Sequence, residues 1–171
     1  DAPTTPGMDA AATVRVEQAG LDALARALED PAGLGGAFAQ AVAMLLGISG
    51  RVVITGIGKS GHVARKIQST LASTGTPSLY VHPAEASHGD LGMILPGDAI
   101  LAFSNSGETT ELGDIAAHAL RTGQPLLAVT SKASSTLAST ATLALTLPAM
   151  PEACPCPLYT SDPADQAASV E

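Results

Sequence analysis

The feature that most constrains this chain is an alternation. Short aliphatic or β-branched runs at 51–55, 78–81, 99–103, 126–130 and 142–147 are separated by stretches of helical character at 60–73, 109–122 and 134–140. Strands interrupted by helices cannot close as hairpins, so they are joined by right-handed crossovers into a parallel sheet with helices on both faces. The expected class is therefore α/β, a three-layer sandwich around a five-stranded parallel sheet. Upstream, Val14, Val16, Leu21, Leu24 and Leu28 recur roughly at helical spacing between Asp9 and Asp30, where Pro31 disfavours continuation. A second helix is expected from about Gly33 to Ile48, with Ala37, Ala41, Met44 and Leu45 on one face and Gly47 and Ser49-Gly50 as its stop. This divides the chain into N-terminal helices over 1–49 packing on the domain, a ligand-binding domain over 50–155, and a tail over 156–171.

Ligands of such sheets sit beyond the carboxyl ends of the strands. Two loops there carry the chemistry. After the run 99–103 come Ser104, Asn105, Ser106, Gly107, Glu108, Thr109 and Thr110, small hydroxyls and backbone N–H groups at the start of a helix, which is a seat for phosphate. After the run 51–55 come Gly56, Ile57, Gly58, Lys59, Ser60 and Gly61, again opening a helix. Two such loops on neighbouring strands point to one phosphorylated small molecule between them, with Lys59 as a positive charge aimed at it. The segment matches G-x-G-x-x-G, but the acidic residue that would hold a ribose at the end of the second strand is replaced by His82-Pro83, and Glu85 lies beyond. A Walker A loop is excluded because Val53 occupies the position of its first glycine. Glu108 reads as a solvated acid at a helix start, and His82, Glu85 and His88 as a polar loop over the site.

Composition narrows the partners. A net charge of −8 repels nucleic acid and anionic membranes, and an aromatic content of 2% removes stacking platforms for single strands. The longest apolar run, Ala41 to Leu46, is far too short to span a bilayer, and the N-terminus lacks a signal-peptide pattern, so a cytoplasmic location is expected. Cys154 and Cys156 are too close together to staple a fold.

Several motifs in order then resemble one family. Gly56-Ile57-Gly58-Lys59-Ser60-Gly61-His62, Ser73 to Pro77, His82 to Gly92, Ser104 to Glu111 and Pro151 to Pro155 are similar to the sugar isomerase (SIS) domain, of flavodoxin-like type, of D-arabinose 5-phosphate isomerases. The resemblance implies interconversion of D-ribulose 5-phosphate and D-arabinose 5-phosphate for octulosonate synthesis, and a homotetramer. It places functional residues at Lys59, Glu111 and Glu152. Substrate contacts are implied at His88 and the Gly75-Thr76 pair, beside Gly58, Ser60, Ser104, Asn105, Ser106, Gly107 and Thr109 from the two loops. It implies no required cofactor, and an inhibitory zinc at His82. Shifting a carbonyl between C1 and C2 needs a base and an electrophile, which carboxylates and a lysine supply. The chain departs from the pattern after Pro155: the family's long helix and His-Pro-Gly-Gly segment do not follow, and 156–171 is polar, proline-broken and expected to be disordered. Binding with impaired turnover is the expectation for the chain as it stands. The alternative is a non-catalytic SIS module that senses a sugar phosphate; only Arg15 and Arg26 are basic between Asp9 and Ile48, which argues against a DNA-reading helix there.

Overall fold

The computed structural model of the chain describes residues 6–150. It divides into two compact units, the larger over 27–147 and the smaller containing the chain up to Arg26. The smaller unit holds most of helix α1 (Pro6–Leu28). The larger runs through α2 (Leu34–Leu46), β1 (Val52–Gly56), α3 (Gly58–Ser73), β2 (Ser78–Tyr80), α4 (Pro83–Ala86), β3 (Ala99–Phe103), α5 (Gly113–Thr122), β4 (Leu126–Thr130), α6 (Thr136–Thr140) and β5 (Leu143–Thr146). Single 3₁₀ turns at Asp90–Met93 and Thr110–Leu112 precede β3 and α5. Glu152, both cysteines and the tail lie outside the described residues.

The five strands form one all-parallel sheet in the order β2-β1-β3-β4-β5. Every residue of β1 is buried, and β3 and β4 are nearly so, because both faces of the sheet are covered. This is why the strands read as continuous aliphatic runs. On one face Val52, Ile54, Leu101 and Leu127 pack with Ala41 of α2 and Ala64 of α3; on the other Val53, Ile100, Ala102 and Ala128 pack with Ile115, Ala116 and Ala119 of α5 and Leu137 of α6. The expected three-layer sandwich is thus what forms. Its strand limits fall within a residue or two of those read from the aliphatic runs. The segment 82–88, expected as a loop, instead contains α4, whose cap is His82: the ring Nδ1 accepts a hydrogen bond from the Ala84 N–H at 3.2 Å.

At the amino end of the sheet an acid sets the register of the central strands. Asp98, 2% exposed, accepts from the Arg51 backbone N–H at 2.7 Å, from Arg51 Nη2 at 2.9 Å and from the Leu95 N–H at 2.9 Å. A Cβ on Gly50 would overlap Asp98, so the chain can pass there only as glycine. Burial pushes the Asp98 carboxyl up, but the hydrogen bonds from Arg51 and Leu95 outweigh it and hold the group below the usual carboxylate range. A depressed native pKa means the stabilisation is fully present above the unfolded value of about 3.9 and is lost as pH falls through the native one. Asp98→Ala is expected to cost about 3 kcal/mol at neutral pH by leaving the Arg51 guanidinium without its carboxylate and two backbone N–H groups unpaired. In thermal melts the gap between wild type and variant should narrow as pH drops below about 4; a gap that stays constant with pH contradicts this role for Asp98.

Candidate substrate-binding site

The strand order reverses between β1 and β3. The chain leaves β1 into α3 on one face and leaves β3 towards α5 on the other, so a crevice opens above their carboxyl ends. The turn out of β1 is tight. Gly58 has φ +56° in open space, while a Cβ on Gly61 would lie 2.8 Å from the Gly56 carbonyl oxygen and one on Gly56 would lie 3.1 Å from those of Phe103 and Ser60. Glycines in the G-x-G-x-x-G segment therefore let the first turn of α3 sit directly on the end of β1. Tyr80, at the end of β2, fixes that end by donating its hydroxyl to the Gly56 carbonyl at 2.6 Å. Burial raises the pKa of this phenol, with Arg65, 3.8 Å above the ring centre, opposing it only in part; the phenol remains a donor.

The α3 N-cap is Ile57, which provides no side-chain cap, so the first N–H groups of the helix face the crevice without a side-chain acceptor. Lys59 is exposed on this turn and forms no hydrogen bond or ion pair with the described residues. An uncapped helix start carrying a free ammonium is a local anion trap in a chain of net charge −8.

The loop after β3 is more organised. Ser104 is buried at 3% exposure; its Oγ lies 2.7 Å from Thr109 Oγ1 and accepts from the Gly107 N–H at 3.0 Å. Ser106 Oγ accepts from the Glu108 N–H at 3.2 Å. The Asn105 carbonyl takes three donors, Ser131 N–H, Ser131 Oγ and Thr130 Oγ1, and the Gly107 carbonyl takes the Leu137 N–H. Gly107 has φ +69°, and a Cβ there would overlap Ser135, so no other residue fits. The amides of Gly107 and Glu108 are thus engaged by loop hydroxyls. The N–H groups of Asn105, Ser106 and Thr109 carry no partner among the described residues and are the free donors of the loop.

Around these loops stand the other residues singled out by sequence. Glu111 is exposed in the 3₁₀ turn that follows the loop. His82 and exposed His88 flank α4, which follows β2 at the same end of the sheet. Gly75 and Thr76 do not join them: they precede Ser78, which pairs with Val52 at the amino end of the sheet, so one chain does not bring them to the loops. Glu152 lies outside the described residues. Nδ1 of His82 is engaged as the α4 cap, and no group of three potential metal ligands occurs among the described residues. A lone imidazole so engaged does not make a zinc site; any ion at His82 would need ligands from elsewhere. A groove of about 260 Å³ opens on the α5–α6 side of the loop, lined in part by Glu108, Thr110, Leu112 and Thr136, and Lys59 does not reach it.

Glycine- and hydroxyl-rich loops at the switch point of a 2-1-3-4-5 parallel sheet define the class. Residues 45–164 match the SIS domain model, and the chain belongs to that family. It is 46% identical over 143 residues to arabinose 5-phosphate isomerase KdsD of Pseudomonas aeruginosa and 42% identical over 143 residues to arabinose 5-phosphate isomerase KpsF of Escherichia coli. Each alignment covers 84% of this chain and 42% of the relative, so the chain spans about two fifths of the length of these proteins. An E. coli CFT073 protein solved in complex with arabinose 5-phosphate superposes with a TM-score of 0.77 at 35% identity, over 89% of this chain and 79% of that one. No helix among the described residues is long and apolar enough to cross a membrane.

The double variant Ser104→Ala with Ser106→Ala frees the Gly107 and Glu108 amides but removes the hydroxyls that shape the loop. Calorimetric titration with inorganic phosphate should show affinity reduced about tenfold or more. Undiminished affinity places the anion elsewhere.

Proposed function

We propose that the chain is the substrate-binding and catalytic domain of an aldose–ketose isomerase that interconverts D-arabinose 5-phosphate and D-ribulose 5-phosphate. The observation that carries this reading is the placement of a free lysine, Lys59, on the turn next to an organised loop with three unpaired amides, both at the carboxyl ends of adjacent strands. Likeness to proteins named for this activity supports it. The phosphate would be held by the N–H groups of Asn105, Ser106 and Thr109 and by the start of α3. This fixes C1 and C2 at a set reach from the anchor, so that binding energy at the phosphate orients the reacting carbons.

The reaction moves hydrogen within one molecule and calls for no redox group. A carboxylate takes the proton from the hydroxyl-bearing carbon beside the carbonyl, and the carbonyl oxygen takes up the charge of the enediolate. The hydroxyl proton passes to that oxygen, and the carbon proton is delivered to the former carbonyl carbon as the carbonyl re-forms on the carbon that lost it. Lys59 stabilises the enediolate oxygen by its charge. Glu111, one turn beyond the phosphate loop, and Glu152 are the carboxylates assigned to proton transfer or to positioning its partners, with His88 contacting the sugar. Gly75 and Thr76 enter this scheme only from a neighbouring copy, in keeping with a homotetramer. The product direction suits a cytoplasmic supply of arabinose 5-phosphate to octulosonate synthesis for lipopolysaccharide or capsule.

Replacing Lys59 with alanine in the full-length protein tests the assignment. The rate should fall by roughly a hundredfold or more while the melting temperature stays within a few degrees, because the side chain is exposed and unpartnered. A near-normal rate would show that Lys59 is only a solvated charge.

A further inference from the structure

Glu108 is the one acidic side chain inside the phosphate-type loop, and it is not free. Its Oε1 accepts from the Thr136 backbone N–H at 2.9 Å and its Oε2 accepts from Thr136 Oγ1 at 2.7 Å. Both oxygens are thus engaged by a single residue at the start of α6. The neighbouring contacts run the same way. The Leu137 N–H reaches the Gly107 carbonyl, Ser135 leaves no room for a side chain on Gly107, and Ser131 and Thr130 hold the Asn105 carbonyl. Segment 130–137 is therefore a cradle for the loop, and among the described residues Glu108 is the loop side chain that reaches out to it.

The charge makes this arrangement informative. A carboxylate placed in an anion-binding loop repels the anion, so on electrostatics alone its removal should tighten phosphate binding. A carboxylate that instead holds the loop in its binding geometry has the opposite effect: removal loosens the loop, and the ligand must then supply the ordering itself. Which effect wins depends on whether the free amides of Asn105, Ser106 and Thr109 keep their aim once Gly107-Glu108 is released from α6. Here the two oxygens make two charge-assisted bonds to one partner at the exposed surface, a geometry that turns the carboxylate towards Thr136. The same two bonds from Thr136 hold the Glu108 carboxyl below the ordinary glutamate range, so it stays ionised across the physiological range.

We infer that Glu108 is a positioning residue which, through Thr136, locks the loop Ser104–Thr109 onto the start of α6 and thereby sets the affinity for the phosphate group of the ligand without taking part in proton transfer. The inference rests on the phosphosugar reading above for its ligand class, and its test is kept independent of turnover.

The test is calorimetric titration of inorganic phosphate and of arabinose 5-phosphate into wild type, Glu108→Ala, Glu108→Gln, Thr136→Val and the double variant Glu108→Ala with Thr136→Val, each first checked by thermal melt. Glu108→Ala should weaken both ligands roughly three- to tenfold despite removing a negative charge. Glu108→Gln keeps an acceptor for the Thr136 N–H and should stay within about twofold of wild type. Thr136→Val should weaken binding alone but add nothing in the Glu108→Ala background, because the two side chains act as one link. In the full-length enzyme Glu108→Ala should raise KM by a similar factor and leave kcat within about twofold. Unchanged or tighter binding by Glu108→Ala, additive losses in the double variant, or a fall in kcat at constant KM each overturns the inference. If the full-length wild type binds phosphate but turns over no arabinose 5-phosphate, the isomerase reading fails while the calorimetric ratios still decide the role of Glu108.

Discussion

The pairing of β1 with β3, out of chain order, is the constraint from which the site follows. Val52 to Gly56 lie in register with Ala99 to Phe103, and β2 is placed on the far side of β1. Because the connection from β1 climbs one face and that from β3 the other, the two strand ends open a cleft whose walls are helix starts. In the proposed binding mode backbone dipoles supply the attraction, and the side chains mainly keep the backbone in place. The Arg51–Asp98 ion pair at the opposite end secures the same two strands, with Arg51 just before β1 and Asp98 just before β3.

A chain of net charge −8 can hold a phosphate only if attraction is local. In the proposed binding mode that task is divided. The start of α3 would contribute an uncapped helix end and the exposed Lys59 ammonium. The loop after β3 would contribute backbone donors, with the loop itself tied by its own hydroxyls and by segment 130–137. An anchored phosphate beside a cation on a long side chain suits chemistry in which charge appears only in the transition state.

The sheet was legible because its strands are buried on both faces: runs such as Val52 to Ile54 and Leu126 to Ala128 have no polar interruption to confuse their limits. The phosphate-type loops were legible for a different reason, their hydroxyl and glycine content at a strand-to-helix junction. What escaped was whatever depends on contact at a distance. Helix α4 is a single turn after Pro83 and has no period to detect. Glu108 is exposed, as the reading of a solvated acid expects, but its bonds to Thr136 could not be read because that partner is 28 residues away. Tyr80 gave no sign that its hydroxyl would close on Gly56, and the amino-end placement of Gly75 and Thr76 becomes plain only from the register of β2 on β1. A faint signal for Glu108 did exist: an acid within a loop chosen to bind anions calls for a reason.

The central claim is that one phosphorylated sugar is held between the two loops, by backbone amides. Titrating ¹⁵N-labelled protein with arabinose 5-phosphate and following amide chemical shifts tests it most directly. The account predicts saturable shifts concentrated at Gly58 to Ser60 and at Asn105 to Thr109, with the Asn105, Ser106 and Thr109 resonances moving most. Shifts confined to other parts of the chain, with those two loops silent at saturation, would contradict it.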